Sequence, residues 1–230
     1  MSRFSRCPRC GHAPLPADQA LPAACPGCGV ILAKVGQRSP PRPVLRGDDE
    51  YEDAPAPLDR WHWRRRALLW AALASWSVLL ARMDPRVGES VGAILHGALL
   101  SFHEAGHVIF MPLGEWMAVF GGTLAQLLMP LAMAVALWRK PDRFGAALGL
   151  WFVAVSVLDI APYMYDALHP RLVLLGGHTG EDGPHDWIYL FSSLGLLPRA
   201  QFIGLLTHRL GIALMVAALA AAAWTLWRRR

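Results

Sequence analysis

Charged residues are scarce in this chain, and cysteine is absent after residue 28. Only 17% of the 230 residues are charged, whereas 54% are hydrophobic and ten are tryptophan. This composition argues against an ordinary soluble domain and favours an integral membrane protein. The opening stretch MSRFSRCPRCGHAP is polar and lacks the apolar core of a secretory signal peptide, so we expect none.

The excess of basic residues, a formal net charge of +5, lies largely beside apolar runs. WHWRRRALLW at 61–70 and WTLWRRR at 224–230 both combine tryptophan with an arginine triplet. Arginine and tryptophan at the ends of spans are typical anchors at the membrane–water interface. The positive charge therefore indicates membrane anchoring, and we expect no nucleic-acid partner.

All four cysteines fall in two short pairs, Cys7 and Cys10 in CPRCGH and Cys25 and Cys28 in CPGCGV. This spacing predicts a zinc ribbon over residues 1–35, because each C-x-x-C pair supplies two thiolates to a tetrahedral Zn²⁺. Such a closed site is structural, since it leaves no open position for chemistry. Two disulfides are the alternative, but adjacent C-x-x-C pairs suit a metal better.

A thiolate zinc site indicates a reducing compartment, so we expect a cytoplasmic N-terminus and insertion in the inner or cell membrane. Residues 36–60 are rich in proline and charge and predict a flexible linker. The transmembrane domain is expected over residues 61–230. Carried on this linker, the ribbon is a candidate for recruiting a soluble partner.

Apolar runs recur along the rest of the chain and predict an all-α integral membrane bundle of about five transmembrane helices, with six left open. The arginine triplet before the first run favours an inside N-terminus, but the later basic clusters do not settle the topology. A run near 188–197 is too short to span and is expected to be interfacial or packed on the bundle. The predicted spans are 67–81, 91–111, 122–138, 144–165 and 210–227.

The second run contains HEAGH, an H-E-x-x-H pattern formed by His103, Glu104 and His107. On a helix the two histidines lie on one face and can bind one Zn²⁺, and the glutamate can act as general base on water. Each ionisable group in a span costs about 2.5–3.5 kcal/mol on insertion scales. Three such groups within five residues therefore indicate a compensating partner, and a metal suits this spacing.

A catalytic zinc held by two histidines needs a third protein ligand, often a carboxylate. Asp159 lies in the fourth run at about the depth of the histidine pair, so it is the predicted third ligand. Asp166 and His185 are the alternatives for that position, and both are also candidates for supporting the ligands. His185 and Asp186 are further candidates for folding back over the metal, and His96 for lining the same cavity.

At these residues the chain resembles the site-2 protease family of intramembrane zinc metalloproteases. HEAGH within a span is one point of similarity. The stretch GGTLAQLLMP at 121–130 is similar to the family's glycine-then-asparagine motif, with Gly122 at the glycine and Gln126 in place of the asparagine. LDIAP at 158–162 is similar to its leucine–aspartate–glycine motif, with Ile160 in place of the glycine.

The resemblance implies hydrolysis of a peptide bond in a membrane protein substrate, within the membrane or at its edge. His103, His107 and Asp159 would hold the catalytic zinc, and Glu104 would be the general base. The expected cofactors are then two Zn²⁺ ions, one catalytic and one structural.

The resemblance also implies that Gly122 and Gln126 contact the substrate, where an amide donor can stabilise a developing oxyanion. An interhelical hydrogen bond is the alternative role for Gln126. For the whole chain, a non-proteolytic zinc-binding scaffold or a metal transporter is the alternative function.

Overall fold

The computed structural model describes residues 4–20, 23–35 and 59–228. The chain divides into two compact units, Met1–Glu52 and Asp53–Arg230. Most of the predicted linker lies outside the described residues; only its last two residues, Asp59 and Arg60, fall within them.

The N-terminal unit is built from two similar turns, one around each C-x-x-C pair. In each turn the glycine after the second cysteine donates its N–H to the carbonyl of the first, at 2.8 Å for Gly11 to Cys7 and for Gly29 to Cys25. Both glycines have a positive φ, 75° and 70°, which a residue with a side chain rarely adopts. The four-cysteine cluster and these turns fit a zinc ribbon. The small core consists of Cys7, Cys25 and Leu32.

All regular secondary structure among the described residues of the second unit is helical. Short 3₁₀ turns precede or follow several helices, and the long segment between α4 and α5 has no regular structure. The helices are α1 (Arg60–Ala81), α2 (Ala93–Phe110), α3 (Glu115–Arg139), α4 (Arg143–Asp166), α5 (Asp186–Ser193) and α6 (Ala200–Trp227).

Three helical segments are long and apolar enough to cross a membrane: Glu115–Arg139, Arg143–Asp166 and Leu197–Trp227. The chain is therefore consistent with a membrane protein, and spanning by α1 and α2 stays a prediction. The short run near residue 190 forms α5, which has only eight residues.

Three helices begin seven or more residues before the hydrophobic runs that predicted them: α1, at Arg60 instead of residue 67, α3 and α6. Helix α3 begins at Glu115, seven residues before the predicted start, directly after Gly114 with its positive φ of 100°. Helix α6 begins at Ala200, ten residues before the predicted start. The extensions of α3 and α6 contain polar or small residues. A helix can continue where mean hydropathy falls, so the hydrophobic run does not mark the start of the helix.

Helix α4 is the central element of the unit and carries the predicted ligand Asp159. Trp151, Val155 and Leu158 are fully buried on it, and the Trp151 indole donates to Ser77 Oγ at 2.8 Å. Glycines on neighbouring elements allow close packing, since a Cβ on Gly211 of α6 would lie 2.8 Å from Leu158. These contacts make α4 a fixed support for the side chains on its C-terminal half.

Helices α2 and α3 pack through glycine. A Cβ on Gly121 of α3 would lie 2.7 Å from the carbonyl oxygen of Gly106 of α2 and 2.7 Å from Phe110 Cβ. The two backbones are therefore in contact beside HEAGH, and the HEAGH histidines face α3.

Candidate metal centre

A cavity of about 520 Å³ lies in the second unit, between α2, α3, α4 and the segment that leads into α5. It contains both HEAGH histidines and Glu104, whose side chain is exposed. Apolar side chains, among them Leu100, Ile160 and Leu172, share the lining. Its other polar lining residues are Ser90, His96, Gln126, Asp159, Tyr163, His178 and Asp186.

The orientation of both HEAGH histidines is fixed through Nδ1. His107 Nδ1 donates to the backbone carbonyl of Ala118 at 2.9 Å, and His103 Nδ1 donates to Gln126 Oε1 at 3.1 Å. A carbonyl oxygen only accepts, so each Nδ1 carries the proton. In the neutral imidazoles Nε2 is therefore an acceptor with a free lone pair, as a metal ligand requires.

Asp186 contacts Nε2 of both histidines. Its Oδ2 lies 2.8 Å from Nε2 of His103 and 3.3 Å from Nε2 of His107. Three acceptor atoms thus converge on one point, and such a cluster needs a proton or a cation between its members. Ligand atoms of a tetrahedral zinc at about 2.0–2.1 Å lie roughly 3.3 Å apart, so these spacings fit Zn²⁺.

Glu104 completes the polar group around this point. The ligand atoms of His103, Glu104 and His107 all lie within 4.8 Å of one another, a spacing that could hold a metal ion. Because the side chain of Glu104 is exposed to the cavity, it can accept a proton from a water molecule there.

The carboxyl group of Asp186 is ionised over the physiological range. Burial raises its pKa, but the hydrogen bonds that it accepts when Nε2 of His103 or His107 holds a proton outweigh burial and lower the pKa to about 2. Asp186 is also the first residue of α5, where the helix dipole favours a negative charge.

Tyr163 and His185 hold the start of α5 in place. The Asp186 backbone N–H donates to the Tyr163 hydroxyl at 2.9 Å, and the Tyr163 ring packs on the His185 ring with centroids 4.2 Å apart. His185 also caps α5, since its Nδ1 accepts from the N–H of Ile188 at 3.3 Å. The position of Asp186 is therefore determined by its neighbours on two sides.

Asp166 fastens the segment before α5 to the end of α4. Its Oδ1 accepts from the backbone N–H groups of Arg171 and Leu172 at 2.8 and 3.2 Å, and its Oδ2 lies 3.5 Å from His185 Nε2. Asp166 and His185, which the sequence offered as alternative ligands or as supporting residues, thus pair with each other. Among the described residues neither forms a hydrogen bond or ion pair with the HEAGH histidines, and both instead contact the segment that leads into α5.

Asp159, the predicted third ligand, lies one side chain away from the histidine pair. Its Oδ1 is 2.9 Å from His96 Nδ1, and its Oδ2 accepts from Gln126 Nε2 at 3.0 Å. Gln126 in turn binds His103, so the order of contacts is His96, Asp159, Gln126 and His103. In this arrangement Asp159 orients Gln126 and, through it, the His103 ring.

Gln126 and Gly122 were both predicted to contact substrate. Gln126 is buried, and its amide uses its oxygen for His103 and its nitrogen for Asp159, which corresponds to the alternative of an interhelical hydrogen bond. A Cβ on Gly122 would lie 2.6 Å from Nε2 of His103 and 2.7 Å from Nε2 of His107. The glycine therefore leaves open the space in front of both nitrogens.

The four cysteines of the N-terminal unit form a second group with metal-binding spacing. Their sulfurs lie within 4.8 Å of one another, with Cys7 Sγ 3.7 Å from Cys28 Sγ and Cys10 Sγ 3.7 Å from Cys25 Sγ. All four are free thiols, and zinc at about 2.3 Å from sulfur places its ligands roughly 3.8 Å apart. The group could therefore hold one zinc.

The thiols of this group differ in acidity. Burial raises the pKa of Cys7, but hydrogen bonds from the backbone N–H groups of Cys10 and Arg9 lower it more, to about 6. In Cys10 the backbone hydrogen bond at His12 lowers the pKa, yet the neighbouring Cys28 and burial together raise it to about 12. Cys7 therefore supplies a thiolate near neutral pH, which favours metal capture.

Sequence reasoning named Asp186, together with His185, as a candidate for folding back over the metal, but did not identify it as the carboxylate that contacts both histidines. The only signal was its place beside His185 after a glycine-rich loop, since no motif includes it.

Comparison with protein-family models, with curated proteins and with solved structures finds no significant match, so the interpretation of both sites depends on their own residues.

Proposed function

We propose that the chain is a zinc-dependent peptidase that cleaves a peptide bond of a membrane protein substrate. The observation that carries this proposal is the convergence of His103 Nε2, His107 Nε2 and a carboxylate oxygen beside Glu104, in a cavity of about 520 Å³. A zinc ion held there would polarise a peptide carbonyl and activate a water molecule as nucleophile.

The residues around the cavity have separate roles in this proposal. Glu104 accepts the proton of the attacking water and later returns it to the leaving amine, as a general base and then a general acid. Gln126 and the Ala118 carbonyl keep the two imidazoles oriented, so that no ring has to turn during the reaction. Gly122 leaves room for the reacting groups in front of both nitrogens.

The surroundings of the cavity support a substrate from the membrane. Three helical segments have the length and hydropathy of membrane spans. Val173 and Leu175, in the irregular segment between α4 and α5 that lines the cavity, are 75% and 61% exposed. An apolar, uncharged peptide segment is the substrate that matches such a lining.

Metal transport is the main competing function. A transport path needs successive ion sites, whereas the described part of the second unit contains a single group with metal-ligand spacing. Glu104 in that group also favours hydrolysis, because a general base has no part in passive ion passage.

In this proposal the N-terminal unit carries a structural zinc and lies in the cytoplasm. Its role is to recruit a soluble partner or the tail of a substrate, independently of the chemistry in the membrane. Neither the compartment nor the partner is needed for the peptidase proposal itself.

The test is cleavage of single-span peptides in liposomes by the purified full-length protein and by Glu104→Gln. We expect Glu104→Gln to lose activity by about 10²–10⁴-fold, the usual contribution of a general base, while its zinc content is unchanged. Glu115→Gln, at an exposed carboxylate in the first turn of α3, is the matched control and keeps full activity. Equal cleavage by wild type and Glu104→Gln would refute the proposal.

A further inference from the structure

We infer that Asp186, at the start of α5, is the third protein ligand of the zinc, and that Asp159 is a positioning residue behind His103. The inference rests on the proposed zinc site but not on the peptidase reaction. It assigns the ligand to a residue outside every motif on which the resemblance depends.

The first argument is the contact geometry of the two carboxylates. One oxygen of Asp186 lies 2.8 Å from Nε2 of His103 and 3.3 Å from Nε2 of His107. These two nitrogens carry the lone pairs that are available to a metal. Asp159 hydrogen-bonds to His96 and Gln126, and it is connected to His103 on the Nδ1 side of the ring, through Gln126. A metal on the Nε2 side therefore faces Asp186.

The second argument is that Asp159 is already occupied. Its two oxygens bind His96 Nδ1 at 2.9 and 3.1 Å and Gln126 Nε2 at 3.0 Å, and its side chain is only 4% exposed. Turning it towards the metal would leave the buried Gln126 amide without its acceptor, at a cost of about 1–3 kcal/mol. As a positioning residue it keeps every one of these contacts.

The third argument is the way α5 is held. The Tyr163 hydroxyl accepts the Asp186 N–H, and His185 caps the helix. Asp166 Oδ2 lies 3.5 Å from His185 Nε2, and Asp166 Oδ1 accepts from the backbone N–H of Arg171. Metal ligands in proteins are commonly oriented by such hydrogen-bonded neighbours. The pairing of Asp166 with His185, otherwise an unexplained buried pair, then has the function of presenting Asp186 to the histidines.

Cobalt spectroscopy distinguishes the two carboxylates. In the full-length chain, Cys7, Cys10, Cys25 and Cys28 are replaced by serine, so that the only thiolate is the one introduced at the membrane site. Asp186→Cys and Asp159→Cys are then compared after titration with Co²⁺. A cysteine that binds cobalt gives an intense thiolate-to-metal charge-transfer band in the near ultraviolet.

We expect this band in Asp186→Cys and not in Asp159→Cys. The band in Asp159→Cys, or in neither variant, overturns the inference. If the serine-substituted parent binds no more cobalt than the same protein with His103→Ala, the helical unit has no zinc site. The proposed function is then refuted as well. A parent that binds cobalt without a band in Asp186→Cys leaves the proposed function standing and removes only the assignment of Asp186.

Zinc affinity, measured by competition with a chromogenic chelator, gives an independent readout that avoids the cysteine variants. Asp186→Asn should weaken binding by more than about 100-fold, and Asp159→Asn by no more than about tenfold, because effects beyond the direct ligands are smaller. Asp186→Glu, which keeps a carboxylate, should recover part of the affinity. The opposite order of the two asparagine variants would contradict the inference.

Discussion

The two candidate metal sites of this chain are built in opposite ways. In the N-terminal unit all four ligands come from two short turns, and each turn is closed by its own backbone hydrogen bonds. In the helical unit only the histidine pair is local, and the contacting carboxylate of Asp186 follows His103 by 83 residues. A local site can be read from spacing alone, whereas a distributed site depends on packing that spacing does not show.

The largest expected effects come from removing the metal ligands of each site in turn. Replacing all four cysteines by serine should unfold the N-terminal unit, because structural zinc contributes about 10–16 kcal/mol to small domains with few core residues. His103→Ala should leave the helical unit folded and remove only its own metal. Zinc stoichiometry and limited proteolysis of the purified protein test both outcomes.

Wild type is expected to hold two zinc ions per chain and each of these variants one. Loss of both ions in either variant would show that the two sites depend on each other, contrary to the comparison.

The distributed site should be sensitive to helix packing. Gly122→Ala places a methyl group 2.6–2.7 Å from both Nε2 atoms, so zinc affinity should fall by at least about 100-fold with the ribbon zinc retained. Gly97→Ala on α2 is the matched control, since its Cβ meets no atom within 4 Å. Chelator competition on the two variants measures the difference, and equal affinities would contradict the placement of Gly122.

The support of His103 by Gln126 should have an intermediate effect. Gln126→Leu removes the acceptor for Nδ1 and the donor for Asp159 while keeping the side chain about the same size. Zinc binding should weaken by about 10–100-fold, the usual range for residues that orient a ligand. Isothermal titration with zinc checks this, and an unchanged affinity would mean that the His103 ring needs no such support.

The anchoring of α5 should have the smallest effect. Asp166→Ala removes an acceptor for two backbone N–H groups and the partner of His185, at a cost of about 1–3 kcal/mol for the groups left unpaired. Hydrogen exchange of residues 170–190 should increase, and zinc affinity should fall by a few-fold. Faster exchange elsewhere, with this segment unchanged, would point to a general loss of stability instead.

The sequence predicted the local features of the molecule well. The cysteine spacing predicted the four-sulfur cluster, and HEAGH predicted two histidines and a glutamate within metal-binding distance, because neighbours along a chain or on one helix face need no tertiary information. Helix type was equally readable, while helix starts at Glu115 and Ala200 were missed because hydropathy marks membrane depth rather than helix ends.

The side-chain contacts of Asp159 and Asp186 could not be predicted from the sequence. Asp159 and the histidines lie at matching membrane depths in their hydrophobic runs, which predicts that they are close in space. Asp159 is indeed near His103, but depth alone does not show which atoms are in contact. The deciding contacts are the Gln126 amide between Asp159 and His103, and the fold of the loop that returns Asp186 to the same point. Both follow from three-dimensional packing of segments far apart in the chain.

The short helix α5 also has a consequence for the order of assembly. His103 and His107 are in place as soon as α2 forms, since a helical turn brings them together at almost no cost in chain entropy. Asp186 reaches them only after α4 has packed and the loop of about twenty residues before α5 has closed. A chain in which that loop has not yet closed would therefore bind metal weakly, through two imidazoles alone.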